Sequence, residues 1–303
     1  MIKIAIVIPV YNRKDVTIAG LTNIYSAIGS YVSDKNRISF DVIVVDDGST
    51  DGTANWIHEH IPGINVLTGT GNLWWSGSIN LGAKYAIENL KASHILLWND
   101  DTVCEKNYFF NLEKLLLSDS KYLESILVSK VFWLHDKDRL FNFGAYYESK
   151  TGRKVLIGLN QYDVYDEVIP VDWSGGMGTL IPAEVMLALD YFDDVNFPQY
   201  HGDIDFFLRA KKIGFKSYGI PCLKVYNNAE TTGIVGANKL RDLVPLLNSN
   251  RSLHNFKQNY AFNKRHSNTF VSWCTLAKSY LAVFVKTLIK KKKRASSSWI
   301  DSE

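Results

Sequence analysis

The sequence predicts an α/β protein with a mostly parallel sheet flanked by helices, followed by a helical C-terminal extension. Three observations lead to this fold class: short β-branched runs alternate with helix-like segments, three of the runs end in polar or acidic loops, and strand-like runs stop near residue 231. The chain of 303 residues is 46% hydrophobic, which is enough for a large core. We therefore expect a main domain over residues 1–230 and an extension over residues 231–303.

The chain opens with a β-α-β pattern. Ile2–Val10 and residues 41–45 are continuous apolar runs closed by turn residues, which is typical of strands buried on both faces of a parallel sheet. Residues 15–31 between them place apolar side chains at helical spacing. This order predicts strand, helix, strand.

The same alternation continues along the next hundred residues and beyond. We predict strands at 65–67 and 94–98, helices at 76–90, 107–117, 183–189 and 202–213, mixed strand-like segments at 126–143 and 153–169, and a turn at 149–152. Gly214 is a natural end for the helix before it. Because ligands bind at the carboxyl ends of strands in such sheets, the polar loops should converge.

Composition and charge exclude several classes of protein. The 34 basic and 31 acidic residues nearly balance, so nucleic acid is not an expected partner. Cys104, Cys222 and Cys274 are odd in number and widely spaced, which argues against a disulfide framework and a zinc site. The first apolar run is too short for a signal peptide, and we expect a cytoplasmic protein.

The last segment, residues 270–294, is apolar and aromatic with interspersed lysines. Lys278 and Lys286 make it a poor transmembrane span and a better interfacial helix. The basic run at 290–294 would attract anionic lipid headgroups. We favour peripheral contact with the inner face of the plasma membrane through residues 270–294; the alternative is a helix packed on the domain.

Two acidic loops follow predicted strands. Asp100 and Asp101 are adjacent carboxylates that supply hard oxygen ligands for Mg²⁺ or Mn²⁺, which can bridge to a diphosphate. Asp46 and Asp47 can accept hydrogen bonds from a base or ribose. Each loop alone is also explained as a solvated turn or a helix cap. Two such loops at adjacent strand ends favour a ligand site.

A third acidic segment, Gly202-Asp203-Ile204-Asp205, places two carboxylates at the start of a helix. The helix dipole favours their ionised form, which a general base requires. The alternative is an N-cap followed by a first-turn acid. Residues 69–82 are rich in glycine and asparagine around Trp74 and Trp75. The glycines would let the backbone approach a ligand and the asparagines would contact it; the alternative is that the two tryptophans belong to the core.

The order of these motifs resembles the family 2 inverting glycosyltransferases, which have the GT-A (Rossmann-like) fold. The matching segments are residues 8–13, 44–51, 99–101 and 202–209. Residues 72–82 resemble the bacterial rhamnosyltransferase-type members. The resemblance covers residues 1 to about 230 and is loose beyond them.

The resemblance implies a role for each matching residue. Asp203 would be the catalytic base, and Asp101 would hold Mg²⁺ or Mn²⁺. The nucleotide sugar would contact Pro9, Tyr11, Asn12, Arg13, Asp46, Asp47, Asn72, Trp75, Asn80, Asp100, Gly175 and Gly176. The acceptor side would include Trp173, Asp193 and Asp205.

Two positions depart from the pattern of the family. Gly202 stands where many relatives have glutamate, and Asn227-Asn228 stand where many have a histidine that supports the metal or diphosphate. Asparagine is a weaker metal ligand than imidazole. Metal dependence is therefore less strongly implied than the class of donor.

The function implied by the resemblance is inverting transfer of a sugar from dTDP-L-rhamnose or a UDP-sugar. The acceptor would be a hydroxyl of a growing bacterial surface glycan, either a glycan alone or one linked to polyprenyl diphosphate. One alternative is a non-catalytic subunit that binds sugar nucleotides or glycans. Another is a nucleotidyltransferase, although a glycine-rich, Arg/Lys-bearing phosphate loop is missing near the N-terminus. Donor hydrolysis and consumption of nucleoside triphosphates separate these hypotheses.

Overall fold

The computed structural model describes residues 1–31, 37–228, 234, 236–237 and 239–297, and the side chains up to residue 289. The strands within this part are β1 (Ile2–Val10), β2 (Ile38–Asp46), β3 (Asn65–Thr68), β4 (His94–Leu97), β5 (Val103–Cys104), β6 (Ile126–Trp133), β7 (Asp136–Asn142), β8 (Ala145–Glu148), β9 (Arg153–Leu156), β10 (Ile169–Pro170), β11 (Thr179–Pro182) and β12 (Ser217–Asn227). The α-helices are α1 (Lys14–Gly29), α2 (Thr53–His60), α3 (Trp74–Glu88), α4 (Tyr108–Leu116), α5 (Ala183–Ala188), α6 (Gly202–Lys212), α7 (Leu243–Asn248), α8 (Phe256–His266) and α9 (Phe270–Ser297).

The main sheet has the strand order β10-β12-β6-β11-β4-β1-β2-β3, with β5 and β7 paired to β12 and β6. Strands β1 to β4 are mutually parallel, and β11 is antiparallel to both β4 and β6. β12 runs parallel to β6. Strands β6 and β12 therefore point the same way as β4, and their carboxyl ends lie at the same edge. The predicted α/β class is confirmed.

Both faces of the central strands are buried, which explains their continuous apolar runs. On β1, Ile4, Ile6 and Ile8 belong to one core cluster, whereas Ala5 and Val7 belong to the other. These side chains are at most 2% exposed. Alternation along a strand sends neighbours to opposite faces, so each face needs its own helical cover.

The predicted elements of the first half are confirmed with small shifts at their ends. β1 has the predicted bounds, and α3 begins two residues earlier than predicted, at Trp74. Gly214 follows α6 with φ of +98°, as a residue that ends a helix commonly does. The turn predicted at 149–152 joins β8 to β9, and β9 begins at the predicted residue 153, whereas the strands β8 and β11 were not predicted. Both are only four residues long, too short for a periodic pattern.

The C-terminal helices lie against the α/β portion. Phe262 of α8 forms a small core cluster with Phe197, Ile204 and Leu208. No helix of the described residues is long and apolar enough to cross a membrane. The lysine-rich run at 290–294 lies outside the residues whose side chains are described. The division at residue 230 stays a prediction.

Candidate functional site

The acidic loops meet at the carboxyl edge of the sheet. Nη1 of Arg13, just after β1, lies 2.7 Å from Oδ1 of Asp100, and Nη2 lies 3.1 Å from Oδ2 of Asp101, just after β4. The Asn12 side-chain oxygen accepts a hydrogen bond of 2.7 Å from the backbone N–H of Thr50, beyond β2. Strands β1 and β4 are also where the sheet order reverses, the usual binding crevice of such sheets.

Asp100 and Asp101 have different environments. Asp100 is 6% exposed, and its Oδ2 has no hydrogen-bond partner in the described part of the chain. Burial raises the pKa of Asp100 to about 7, against the opposing effect of Arg13 and with a further increase from Asp101. Asp101 is 16% exposed. Asp101 is therefore the carboxylate better placed to meet a ligand.

These residues fit a divalent ion that is bound together with a diphosphate. The described residues contain no group of three His, Cys, Asp or Glu that could hold a metal alone. Mg²⁺, however, is commonly held by one or two carboxylates plus substrate phosphates and water. Asp101, with the unpaired oxygen of buried Asp100 beside it, supplies that partial set. Arg13 is a second source of positive charge at the same place.

Asp47 organises the loop between β3 and α3. Its carboxylate accepts hydrogen bonds from the backbone N–H groups of Gly71, Leu73 and Trp74, at 2.8, 2.8 and 3.1 Å. Trp74 has φ of +58°, an uncommon conformation for a bulky residue, and these bonds stabilise it. Asp46 accepts a bond of 2.8 Å from the N–H of Ser49. Both carboxylates thus shape the loops, and their contact with a donor stays a prediction.

The other predicted donor residues fall into two groups. Tyr11 is 49% exposed at the sheet edge, and Asn72 is exposed with its side-chain oxygen accepting from Nε1 of Trp74 at 2.8 Å. Asn80 is buried instead, and its amide bonds both the N–H and the C=O of Phe192, at 3.0 and 2.9 Å. Asn80 therefore holds the loop after α5. Direct contact of any of them with a sugar nucleotide stays a prediction.

Gly175 and Gly176 lie between Trp75 and Asp203. Nε1 of Trp75 donates to Oδ1 of Asn99 at 3.2 Å. A methyl group on Gly176 would lie 2.2 Å from the Trp75 ring, and one on Gly175 would lie 3.7 Å from Oδ2 of Asp203. The two glycines therefore occupy a narrow space between the tryptophan and the carboxylate. A side chain at Gly176 would displace the ring.

Asp203 lies in the first turn of α6 and is half-buried. Its Oδ1 accepts a hydrogen bond of 2.8 Å from the N–H of Ile204. Burial raises its pKa, while the hydrogen bond from Ile204 and the positive charge of Lys154 act in the opposite direction. A raised pKa makes a carboxylate a stronger proton acceptor, which suits a general base.

The packing of α6 on α3 explains the glycine at position 202. A methyl group on Gly202 would lie 2.3 Å from Oγ of Ser76 and 3.0 Å from the backbone oxygen of Phe197. The Ser76 hydroxyl itself donates to that Phe197 oxygen at 2.6 Å. A glutamate, as in many relatives, cannot fit this contact. The departure from the family pattern therefore follows from close helix packing.

Asp205 lies inside an ion network and is fully buried, with 0% exposure. Its Oδ2 is 2.8 Å from Nε of Arg209, and its Oδ1 is 2.8 Å from both Nη1 of Arg265 and Nε2 of His266. Arg265 also pairs with Asp193 at 2.7 Å. The network joins α6 and the Asp193 loop to α8. Both oxygens of Asp205 are bonded to protein, and a role toward the acceptor stays a prediction for this residue and for Asp193.

We expect Asp205→Asn to lower the free energy of unfolding by about 3 kcal/mol, because two arginines lose a buried partner. Burial opposes ionisation of Asp205, but His266, Arg209 and Arg265 outweigh it and lower its pKa. Its stabilising effect is therefore present above the pKa of the unfolded chain and disappears as the pH falls through the folded value. Urea unfolding of the unmodified chain and of Asp205→Asn, at neutral and at acidic pH, measures the difference in the free energy of unfolding. The exposed aspartate variant Asp190→Asn is the control, and equal stability of both variants would contradict the role of the network.

Several residues at this site were not predicted from the sequence. Arg265 and His266 are about sixty positions from Asp205, so spacing gives no signal for them. Nζ of Lys154 on β9 lies 2.7 Å from Nδ1 of His201, and His201 adopts φ of +67° next to Gly202. Gln199 accepts a bond of 3.2 Å from the N–H of Trp75. Trp173, in contrast, was predicted on the acceptor side; it is half-buried with Ala145 on β8 as its bridge partner, and its role stays a prediction.

Comparison with solved structures shows the same fold at low sequence identity. TarS 1–349 of S. aureus aligns with a TM-score of 0.50 and 15% identity over 75% of this chain, which spans 60% of that structure. The mannosyltransferase PcManGT of Pyrobaculum calidifontis was solved with GDP-Man and Mn²⁺. It aligns with a TM-score of 0.55 and 14% sequence identity, and the alignment covers 99% of this chain and 75% of PcManGT. GalNAc-T7, solved with UDP, GalNAc and Mn²⁺, aligns with a TM-score of 0.57 and 14% sequence identity. The alignment covers 90% of this chain and 56% of GalNAc-T7.

The comparison of sequences is more specific than the comparison of folds. No curated protein matches the chain. The sequence model described as glycosyl transferase family 2 matches residues 5–158, just over half of the 303 residues. That range contains β1 from Ala5 onward, both acidic loops and the Trp75 segment. The chain has the GT-A fold and belongs to glycosyl transferase family 2.

Proposed function

We propose that the chain transfers a sugar from a nucleoside-diphosphate sugar to a hydroxyl group of a glycan, with inversion at the anomeric carbon. The observation that carries the proposal is the arrangement of two sets of carboxylates on either side of Trp75, Gly175 and Gly176. Asp100 and Asp101 lie beside Arg13 at the sheet edge. Asp203 lies across Gly175 and Gly176 from Trp75, which is bonded to Asn99 of the same acidic loop. This arrangement separates a leaving-group side from a base.

In the proposed reaction Asp203 accepts the proton of the acceptor hydroxyl. The oxygen then attacks the anomeric carbon, and the bond from that carbon to the diphosphate oxygen breaks on the opposite face. The nucleoside diphosphate leaves with the electron pair. Arg13 provides positive charge near Asp100 and Asp101, where the diphosphate would lie. Bound Mg²⁺ or Mn²⁺, held by Asp101, would supply further positive charge to the leaving group.

The proposed donor is dTDP-L-rhamnose or a UDP-sugar, and a ligand panel separates them. Residues 72–82 resemble rhamnosyltransferase-type sequences, whereas two structural neighbours were solved with UDP. The test is thermal unfolding of the full chain with nucleoside diphosphates and nucleotide sugars, with and without Mn²⁺, since a ligand that binds the folded state raises the midpoint. Stabilisation by none of these compounds would contradict the proposal. Binding of a nucleotide sugar without transfer or hydrolysis would favour a non-catalytic subunit. Consumption of a nucleoside triphosphate would favour a nucleotidyltransferase.

We further propose that the acceptor is a growing bacterial surface glycan on a polyprenyl diphosphate, with α9 docked on the inner face of the plasma membrane. Leu281, Phe284, Val285 and Ile289 of α9 are 43–60% exposed. Lys278 and Lys286 lie on the same exposed stretch of helix. An apolar stripe with lysines beside it matches an anionic lipid surface.

The variant Leu281→Gln/Val285→Gln/Ile289→Gln should bind anionic vesicles at least about tenfold more weakly than the unmodified chain, because it removes apolar area that would enter the lipid. Vesicle co-sedimentation at low salt measures the binding. Leu187→Gln, at another exposed leucine, is the matched control. If the unmodified chain does not sediment with anionic vesicles, α9 is not a membrane-docking helix.

A further inference from the structure

A cavity lies between the loop that follows Asp193 and the C-terminal helices. It has a volume of about 240 Å³, and most of its lining residues carry side-chain amides: Asn196, Asn248, Asn250, Asn255 and Gln258, together with Lys257. Ligand pockets for drug-sized molecules are roughly 300–1,000 Å³, so this cavity suits a smaller group. Its position is distinct from the crevice between the acidic loops and Asp203.

One of the lining residues, Gln258, has a buried polar atom without a partner. Gln258 is 3% exposed, and its Nε2 donates to Oδ1 of Asn250 at 3.0 Å. Its Oε1 has no hydrogen-bond partner within the described part of the chain. A buried amide oxygen left unpaired costs about 1–3 kcal/mol. Because this oxygen is buried, a ligand in the cavity would reach it only after the Gln258 side chain turns toward the cavity.

The amides of the wall are held in place by the protein. Asn255 caps α8 by accepting from the N–H of Gln258 at 3.0 Å, and its Nδ2 donates to the backbone oxygen of Asn248 at 3.0 Å. The amide nitrogen of Asn196 donates to Asp193 at 2.9 Å, and Asp193 pairs with Arg265. The cavity is therefore bounded by fixed groups on both sides.

The chemistry of the wall selects one class of ligand. Each amide can both donate and accept hydrogen bonds, as each sugar hydroxyl does. Among the lining residues Lys257 carries the single formal charge, so neither a diphosphate nor a cation finds a set of opposite charges there. Val195, Pro198 and Leu247 add small apolar surface. A neutral sugar ring, with hydroxyl groups at its rim and C–H groups on its faces, matches this combination.

The cavity is structurally connected to the proposed base. The loop that lines it continues through His201 to Asp203. Oδ1 of Asn259, the neighbour of Gln258, accepts a hydrogen bond of 3.2 Å from Nε2 of His201. A ligand in the cavity would therefore contact the same loop and the same helix that position the start of α6.

We propose that this cavity is a subsite for one neutral sugar residue of the acceptor glycan, a proposal that rests on the proposed glycosyl transfer. The loop over residues 193–198 and helix α8 together would hold that residue while a different part of the glycan meets Asp203. The C-terminal extension would thereby take part in the choice of acceptor.

The test uses saturation-transfer NMR to measure the binding of neutral methyl glycosides to the full chain. The glycosides are those of common hexoses, 6-deoxyhexoses and N-acetylhexosamines. At least one glycoside should bind, and Asn248→Ala, Asn250→Ala and Gln258→Met should each weaken it about fivefold or more, the effect of one lost hydrogen bond. Asn89→Ala, at an exposed asparagine after α3, is the matched control and should bind normally. Asn248 is exposed, so its variant tests the cavity even where Gln258→Met fails to fold.

The same samples are tested for stabilisation by UDP and dTDP. Nucleotide binding together with no glycoside binding, or with equal binding by all variants, overturns the subsite and leaves the proposed transferase intact. Binding of anionic glycosides alone also overturns it. Glycoside binding that the variants weaken, without any nucleotide binding, supports a sugar site in the cavity but overturns its assignment to the acceptor of a transferase.

Discussion

Asp203→Asn is expected to lower the rate of sugar transfer by about 10²–10⁴ and to leave donor affinity nearly unchanged. The amide keeps the size of the side chain and can still accept the hydrogen bond that Oδ1 receives from the N–H of Ile204. It cannot accept the proton of the acceptor hydroxyl at neutral pH. Because Asp203 lies on the far side of Gly175 and Gly176 from Trp75, its loss should not disturb the donor side.

The experiment measures the transfer rate and the affinity for the nucleotide sugar in parallel, with Asp190→Asn as the matched control at an exposed aspartate. The unmodified enzyme should also lose activity as the pH falls through the raised pKa of Asp203, since the protonated carboxyl is not a base. Near-normal turnover of Asp203→Asn, or loss of donor binding as severe as the loss of turnover, would show that the residue is structural or donor-binding instead.

Asp101→Ala is expected to lower transfer by about 100-fold or more and to remove the effect of Mn²⁺ on nucleotide binding. The more exposed carboxylate of the pair is then missing, while the contact of 2.7 Å between Arg13 and Asp100 stays in place. Stabilisation of the negative diphosphate by a cation is worth several kcal/mol in metal-assisted reactions. Arg13 alone should therefore retain part of the nucleotide affinity but little of the rate.

Nucleoside diphosphate affinity is measured with Mn²⁺ and with a chelator, for the unmodified chain and for Asp101→Ala. Asp166→Ala, at an exposed aspartate outside the site, is the control. A chelator should weaken binding to the unmodified chain and to the control, and should have no further effect on Asp101→Ala. Full transfer activity of Asp101→Ala in the presence of chelator would rule out the metal assignment and give the charge role to Arg13.

The sequence was sufficient to predict the elements that depend on local pattern. The strand Ile2–Val10 was predicted with its bounds because its side chains are buried on both faces and its end is marked by Pro9 and Asn12. Helix α6 was predicted because an acidic first turn and Gly214 mark its ends. Convergence of the acidic loops also followed, since parallel strands bring their carboxyl ends to one edge.

Other features depend on contacts between distant segments and were decided by tertiary structure alone. Asp205 was one of two similar carboxylates in the sequence, and only packing of α8 on α6 buries it beside Arg265 and His266 while Asp203 remains half-buried. Only the fold explains why position 202 is a glycine. A side chain there would collide with Ser76 on α3, more than a hundred residues earlier. Local pattern thus determined the strands and the edge where the acidic loops meet, because periodicity and turn residues act over a few positions. Which carboxylate is accessible and which is part of the core was set by long-range packing, because burial and ion pairing depend on neighbours that only the folded chain provides.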